Sequence, residues 1–444
     1  MLLMSIGAVA AQTPNGLYPE RADAYSTEHQ GEALLIWQQG ERIHEAYPGD
    51  AQANTPHALA SISKTLTTLA VLAAVDDGLI ELDTPLAESV VPEWNDGTDR
   101  ARITMRQVLN LTAGFTPRWG ADALSFEEAM EVELVHEPGA SVRYSSTPFQ
   151  VAGAVLQRVL SSESPEDYLH RRVLKPIGIS TVTWERVSDT NDAHLGGGAS
   201  MTAPDLLRVG QLLLHNGTHN DTQVIDGDVM RALTESTETN PAYGLGVWMN
   251  AAVDMESPLL MHLPPAVAVP DGADGLIYND GPRDLYMAAG LGHQRLYVVP
   301  SHEAVVVRFG RMGRPWHDGA FLARLLHDTE HAPSAEQEHR LRAHQWRAVL
   351  TPQLDLTEQQ QRTLLPLLVE RARAWSNLRA VWNVRERTPE RRHDLREAQQ
   401  ALQQAESAIE AELTDEQADA YREWKRDQMR PQRGPIIRDP APDS

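Results

Sequence analysis

Apolar and polar positions alternate differently in two parts of the chain. Over residues 61–75 the apolar residues Leu66, Leu69, Ala70, Leu72 and Ala73 recur at helical spacing, so the pattern predicts a helix with Ser61 at its start. A mostly apolar run from Leu285 to Gln294 leads without a break into Arg295-Leu296-Tyr297-Val298-Val299-Pro300. After about Ala332-Pro333-Ser334 glycine, proline and β-branched residues give way to Glu, Gln, Arg, Ala and Leu, which predicts an all-helical region over 333–430 and a frayed tail over 431–444. Within that region, residues 370–378 and 391–413 read as long amphipathic helices with a break at Thr388-Pro389. Leu356-Thr357-Glu358-Gln359-Gln360 and Leu413-Thr414-Asp415-Glu416-Gln417 each carry a T-x-x-Q capping box, in which threonine caps the helix and glutamine reaches back to the threonine N–H.

The chemistry in the first part begins at Ser61-Ile62-Ser63-Lys64. Residues three apart share a helix face, so the Lys64 amine can lie beside the Ser61 hydroxyl. A serine hydroxyl is a weak nucleophile until a base takes its proton, and lysine serves only where desolvation or a like charge lowers its pKa. At a helix start the Ser61 backbone N–H is also unpaired and free to face a developing oxyanion. S-x-x-K alone is a frequent chance pattern, and two further segments give it weight. Pro138-Gly139-Ala140-Ser141-Val142-Arg143-Tyr144-Ser145-Ser146 offers a tyrosine followed two places later by a hydroxyl, and Leu285-Tyr286-Met287-Ala288-Ala289-Gly290-Leu291-Gly292-His293-Gln294 offers a glycine-bearing third segment.

Taken in order, these three segments resemble the serine β-lactamase and penicillin-binding-protein superfamily, in its class C-like branch of esterases, amide hydrolases and D-aminopeptidases. Asp77-Gly78-Leu79, Ile103-Thr104-Met105, Gly198-Ala199-Ser200-Met201-Thr202 and Tyr243-Gly244-Leu245-Gly246-Val247-Trp248 extend the resemblance across about residues 20–312. It implies an α/β (α+β) β-lactamase/transpeptidase-like domain over 12–332, with an antiparallel sheet flanked by helices, ahead of the all-α C-terminal region. It also implies Ser61, Lys64 and Tyr144 as catalytic residues. Tyr144 would be a general base or acid, its pKa of about 10 lowered by the Lys64 charge. The oxyanion donors would be the Ser61 and Leu291 amides, with Ser146, Gly290, Gly292 and His293 around the substrate. Aligned on Gly290, the third segment places Ala288 and Ala289 where antibiotic-handling members carry a lysine or histidine and a hydroxyl. That departure favours esters, amides or peptides over β-lactams, with Arg295 or His293 the first cations to consider if a carboxylate is held after all. A β-lactamase or D,D-peptidase of the same fold, and a catalytically silent binding or chaperone-like protein, are the competing readings. The paired L-T-x-x-Q segments resemble those of Spy-type periplasmic proteins, although two well-capped helices are the preferred reading.

Composition narrows the picture further. With 444 residues and 41% apolar content the chain can bury one large core and an appendage. A net charge of −23 argues against nucleic acid and against anionic membrane surfaces. There is no cysteine, which removes disulfides, thiol catalysis and thiolate metal sites. No cofactor or metal is expected: Gly196-Gly197-Gly198 lacks the Lys-Ser or Lys-Thr of a phosphate loop, and His327 and His331 read as a polar helix end. Residues 1–11 are apolar and end near an A-x-A pattern, like the tail of a secretory signal, which points to a periplasmic or secreted protein without a membrane span. Oligomeric state is left open.

Overall fold

The computed structural model describes residues 16–118, 123–187, 190–251, 277–278, 280–311, 316–327, 335–382 and 389–429. The signal-like stretch, His331, Thr388, the terminal tail and the boundary near 332 lie outside these residues. The chain divides into two compact units, Met1–Ser334 and Ala335–Ser444.

The first unit is built on a six-stranded antiparallel sheet in the order β2-β1-β11-β10-β9-β8. Its strands are β1 (Gly31–Gln38), β2 (Glu41–Ala46), β8 (Trp248–Met249), β9 (Tyr286–Gly290), β10 (Gln294–Val299) and β11 (Ala304–Gly310). Strands β9, β10 and β11 are buried at every position, as a sheet covered on both faces requires. Helices α1 (Pro19–Glu28), α4 (Ala203–Leu214) and α5 (Asp318–Leu326) flank it. Helix α4 comes so close that a Cβ on Gly210 would stand 2.3 Å from Val305 of β11.

Beside the sheet lies a helical part around α2 (Ser63–Asp76) and α3 (Thr147–Leu160), with a three-stranded sheet β3 (Pro56–Ala58), β5 (Ala199–Thr202) and β4 (Thr183–Trp184), and a small hairpin, β6 (Thr218–His219) with β7 (Thr222–Gln223). Helix α2 is buried continuously from Ser63 to Ala74, which only an interior helix can be. Its first turns carry polar residues, and three of them find internal partners. Ser63 Oγ accepts from the Ala199 N–H at 2.9 Å, Thr65 Oγ1 donates to the Gly246 carbonyl at 2.7 Å, and Thr67 Oγ1 donates to the Leu195 carbonyl at 2.9 Å. The expected helix over 61–75 begins one turn tighter than predicted: Ala60–Ile62 is a 3₁₀ turn that feeds α2.

The second unit is helical: α6 (Ala335–Leu354), α7 (Glu358–Trp382), α8 (Pro389–Ala411) and α9 (Asp415–Met429). Leu350, Leu354, Leu364, Leu368, Ile409 and Tyr421 form its own core. Both capping boxes close, with Thr357 N–H donating to Gln360 at 3.1 Å and Thr414 N–H to Gln417 at 3.1 Å. The two glutamines also meet each other, Gln360 Nε2 donating to Gln417 Oε1 at 2.8 Å, so the caps tie α7 to α9.

Because each unit has its own core, a chain ending at Ser334 should retain a single cooperative thermal transition by calorimetry. A broad, non-cooperative melt of that chain would show that the helical unit completes the fold of the first.

Candidate active site

The nucleophile candidate sits on a strained approach. Ala60 has a positive φ of 48°, a conformation that L residues seldom adopt, and the turn it makes presents Ser61 half-buried at the head of α2. On the next turn Lys64 is almost fully buried, with its Nζ 3.1 Å from Ser61 Oγ and donating to the Gly196 carbonyl at 2.5 Å. Aromatic rings enclose the amine, that of Tyr144 at 5.0 Å and that of Phe149 at 5.5 Å from Nζ to centroid. Burial in this wall lowers the Lys64 pKa to about 7 from the usual 10.5. With one N–H occupied by Gly196, the neutral amine has a lone pair to turn toward the Ser61 hydroxyl.

Tyr144 is brought to the same point by the segment ahead of α3 and hydrogen-bonds Ser61. Its ring stacks on Trp248 of β8 at 5.4 Å and meets Tyr243 edge-on at 6.1 Å. The expected lowering of its pKa by Lys64 is not what the structure gives. Burial pushes the phenol up to about 12, outweighing the Ser61 hydrogen bond and the Arg295 charge that pull the other way. The amine and the phenol share one dry pocket, and desolvation disfavours the charged form of each, lowering the one and raising the other. Base and acid therefore separate, with the amine poised to accept a proton and the phenol held protonated to donate one.

Ser146 is buried at the N-cap position of α3, its side chain making no cap bond and its Oγ instead lying 3.3 Å from His194 Nε2. His194 stays neutral at physiological pH, its pKa lowered to about 4 by burial and then by the Lys64 charge. The Gly196 turn leaves no room for a side chain, since a Cβ there would stand 2.7 Å from Ser146 Cβ. Gly290 ends β9 against the nucleophile's own approach: a Cβ on it would stand 2.2 Å from the Leu59 carbonyl. Leu291, Gly292 and His293 make the three-residue turn to β10, with Gly292 and His293 at φ of 81° and 64°. The Leu291 side chain is 52% exposed at this turn. Arg295 does not face a substrate: it is buried and paired side-on with Asp318, Nε to Oδ1 at 2.6 Å and Nη2 to Oδ2 at 3.0 Å. His293 lies in the turn as expected, with its carbonyl accepting from Arg308 at 2.8 Å.

The structure thus brings Ser61, Lys64, Tyr144 and Ser146 together and sets Gly290 beside the approach to Ser61. It adds Gly196, His194 and Trp248, to which the sequence reading gave no part in the chemistry. The segment containing Trp248 was part of the resemblance, whereas Gly196-Gly197-Gly198 read only as a turn. Gly196 acts through its carbonyl, and nothing in a side-chain pattern marks that. Among the described residues, no cluster of three or more metal-ligating side chains occurs and no helix is long and apolar enough to cross a membrane.

The sequence model of the Beta-lactamase family matches residues 20–349. Penicillin-binding protein 4 of Amycolatopsis lactamdurans is 28% identical over 182 residues, 36% of this chain and 47% of that protein. Acyltransferase calJ of Penicillium decumbens is 29% identical over 152 residues, 28% of this chain and 36% of that protein. The chain therefore spans less than half the length of either curated relative. Among solved structures, EstCE1, described as a hydrolase with promiscuous acyltransferase activity, superposes with a TM-score of 0.53 at 17% identity, covering 69% of this chain and 96% of that one. At that identity the likeness concerns the fold.

Lys64 should leave a pH signature in stability. The unfolded chain holds its proton up to about 10.5, whereas the folded chain releases it near 7. The folded state then binds fewer protons across that window, so the cost of Lys64 is full below pH 7 and fades as pH rises. The melting temperature of the wild type should gain on that of Lys64→Met between pH 7 and pH 10. Parallel curves would mean that the amine is charged in the folded protein.

Proposed function

We propose that this chain, which belongs to the β-lactamase family, is a serine hydrolase of neutral esters or amides that works through an acyl-enzyme on Ser61. The observation that carries the reading is the buried Lys64 amine, 3.1 Å from Ser61 Oγ with a pKa near 7. Neutral Lys64 takes the Ser61 proton as Oγ attacks the carbonyl carbon. The Ser61 and Leu291 amides hold the resulting oxyanion. Tyr144, protonated in the resting enzyme, donates its proton to the leaving oxygen or nitrogen and is reprotonated from Lys64 with the proton taken from Ser61, so the count balances. Water then attacks the ester on Ser61, its proton returns to Oγ, and the acid is released. Ser146, backed by His194, faces the same space as a neutral hydrogen-bonding group. An acyltransferase and a hydrolase with promiscuous acyltransferase activity among the similar proteins are consistent with an acyl-enzyme on this fold.

The substrate class follows from what surrounds the third segment. Ala288 and Ala289 offer no charge, and the nearby guanidinium of Arg295 is committed to Asp318. A substrate carboxylate entering here would lose its hydration with no charged partner from these three side chains, at a cost of several kcal/mol. A neutral ester or amide has no such loss. This weighs against the β-lactamase and D,D-peptidase alternatives. The export suggested by the apolar N-terminal stretch belongs to the same proposal and would place the enzyme outside the cytoplasm.

Replacing Ser61 by Ala should abolish turnover of a p-nitrophenyl ester while shifting stability by no more than about 1 kcal/mol, since a single hydroxyl at a half-exposed position is removed. Ester turnover surviving in Ser61→Ala would sink the assignment. In the wild type, kcat/KM for a neutral short-chain ester should exceed that for the carboxylate-bearing cephalosporin nitrocefin by about a hundredfold or more, equivalent to about 2.7 kcal/mol. Equal efficiencies would mean that some cation does meet the carboxylate.

A further inference from the structure

Beneath the turn that joins β9 to β10 lie two buried guanidiniums that the reaction does not use directly. Arg295 is 2% and Arg308 0% exposed. Two donor groups of Arg295, Nε and Nη2, are taken by Asp318, and the third, Nη1, points to the turn, donating to the Gln294 carbonyl at 3.0 Å and the Gly290 carbonyl at 3.3 Å. Asp318 is itself immobilised: its Oδ1 also accepts from Tyr297 Oη at 2.5 Å and from Trp316 Nε1 at 3.1 Å. Arg308 stacks on Trp316 at 4.1 Å and donates to the His293 carbonyl at 2.8 Å, at the far end of the same turn. Gln294 closes the frame, its Nε2 donating to the Gly310 carbonyl at 3.0 Å while its Oε1 accepts from the Gly310 N–H at 3.1 Å.

The carbonyl of Gly290 and the N–H of Leu291 belong to one peptide group. A cation bonded to that carbonyl oxygen draws electron density from the amide nitrogen and makes its N–H a stronger donor, an effect that grows where the dielectric is low. We propose that Arg295, oriented by Asp318, is a positioning residue that aims and polarises the Gly290–Leu291 peptide as an oxyanion donor, with Arg308 fixing the other end of the turn. This rests on the reading of Ser61 as nucleophile and the Leu291 amide as donor. It gives the buried Arg295–Asp318 pair a function on the reaction coordinate that its distance from any substrate conceals. It also explains why a cation next to the pocket is unavailable for a carboxylate: its charge reaches the substrate through a peptide bond.

The test is the carbonyl stretching frequency of an acyl-enzyme formed by the full-length protein from a ¹³C-carbonyl-labelled activated ester, read by difference infrared spectroscopy alongside steady-state kinetics. Two variants are used. Arg295→Met with Asp318→Leu removes both charges together and leaves no buried ion unpaired. Arg295→Lys retains a cation for Asp318 but lacks the second arm that reaches Gly290. Each folded variant should still acylate on Ser61, with the carbonyl stretch moved to higher frequency and kcat lowered about tenfold at little change in KM, a fraction of the loss on removing an oxyanion donor outright. Should the double variant fail to fold, the lysine variant decides by the same readout. An unshifted stretch in a folded variant overturns the proposal, even if its melting temperature falls, because a merely structural pair would alter stability without altering the bond order of the bound carbonyl. Absence of any Ser61 acyl-enzyme in the wild type would instead overturn the serine-hydrolase reading, and the proposal with it.

Discussion

The desolvation of one amine, Lys64, is the constraint on which the rest of the site depends. Its bonded partners are the Ser61 hydroxyl and the Gly196 carbonyl, with no carboxylate among the described residues, and burial accounts for a pKa moved from 10.5 to about 7. That movement corresponds to about 5 kcal/mol against the ammonium form. The fold bears this cost because Lys64 belongs to α2, whose other residues from Ser63 to Ala74 are packed on every side. Helix α2 cannot tilt the amine toward solvent without opening the core of the unit. The same dryness that neutralises Lys64 holds Tyr144 protonated, so a single physical cause prepares both the acceptor and the donor of the proton.

Close backbone approach maintains that dryness. Gly246 has a φ of 79°, and a Cβ on it would stand 2.4 Å from Thr68 Oγ1 and 3.1 Å from the Lys64 carbonyl, so the segment leading to Trp248 seals one side of α2. Gly196 does the same against Ser146, and Gly290 against Leu59. These glycines let three separate segments converge on α2 with only backbone between them and the reacting groups. The antiparallel sheet contributes its rigidity at one corner, the β9–β10 turn, where buried arginines hold carbonyls from below while the amide edge is left for chemistry.

The pairing of Ser61 with Lys64 was legible because it depends on local geometry, two side chains three residues apart on one helix. The order of segments around Tyr144 and Gly290 implied, through the family it resembles, the antiparallel sheet with flanking helices and the place of the candidate site, and composition alone predicted the helical character of residues beyond 335. What the sequence could not convey was the sign of the Tyr144 shift. That sign is set by Trp248, Tyr243 and other distant residues closing over the ring, and only packing reveals how dry the ring becomes. The role of Gly196 was hidden because a backbone carbonyl has no residue type to announce it. Arg295 looked free for a carboxylate because Asp318, its partner, lies 23 residues away in another element.

The central claim is that burial brings the Lys64 pKa down into the physiological range, so that a substantial share of the amine is neutral in the folded resting protein. The chain contains only three lysines, Lys64, Lys175 and Lys425, so the Lys64 resonances can be identified with a single substitution, Lys64→Met. A titration of the ¹³Cε and ¹⁵Nζ shifts by nuclear magnetic resonance, in protein labelled at lysine, measures the state of the amine directly. The account predicts that the Lys64 resonances move with a midpoint near pH 7. A Lys64 midpoint near 10.5, the value of an unperturbed lysine, would contradict it.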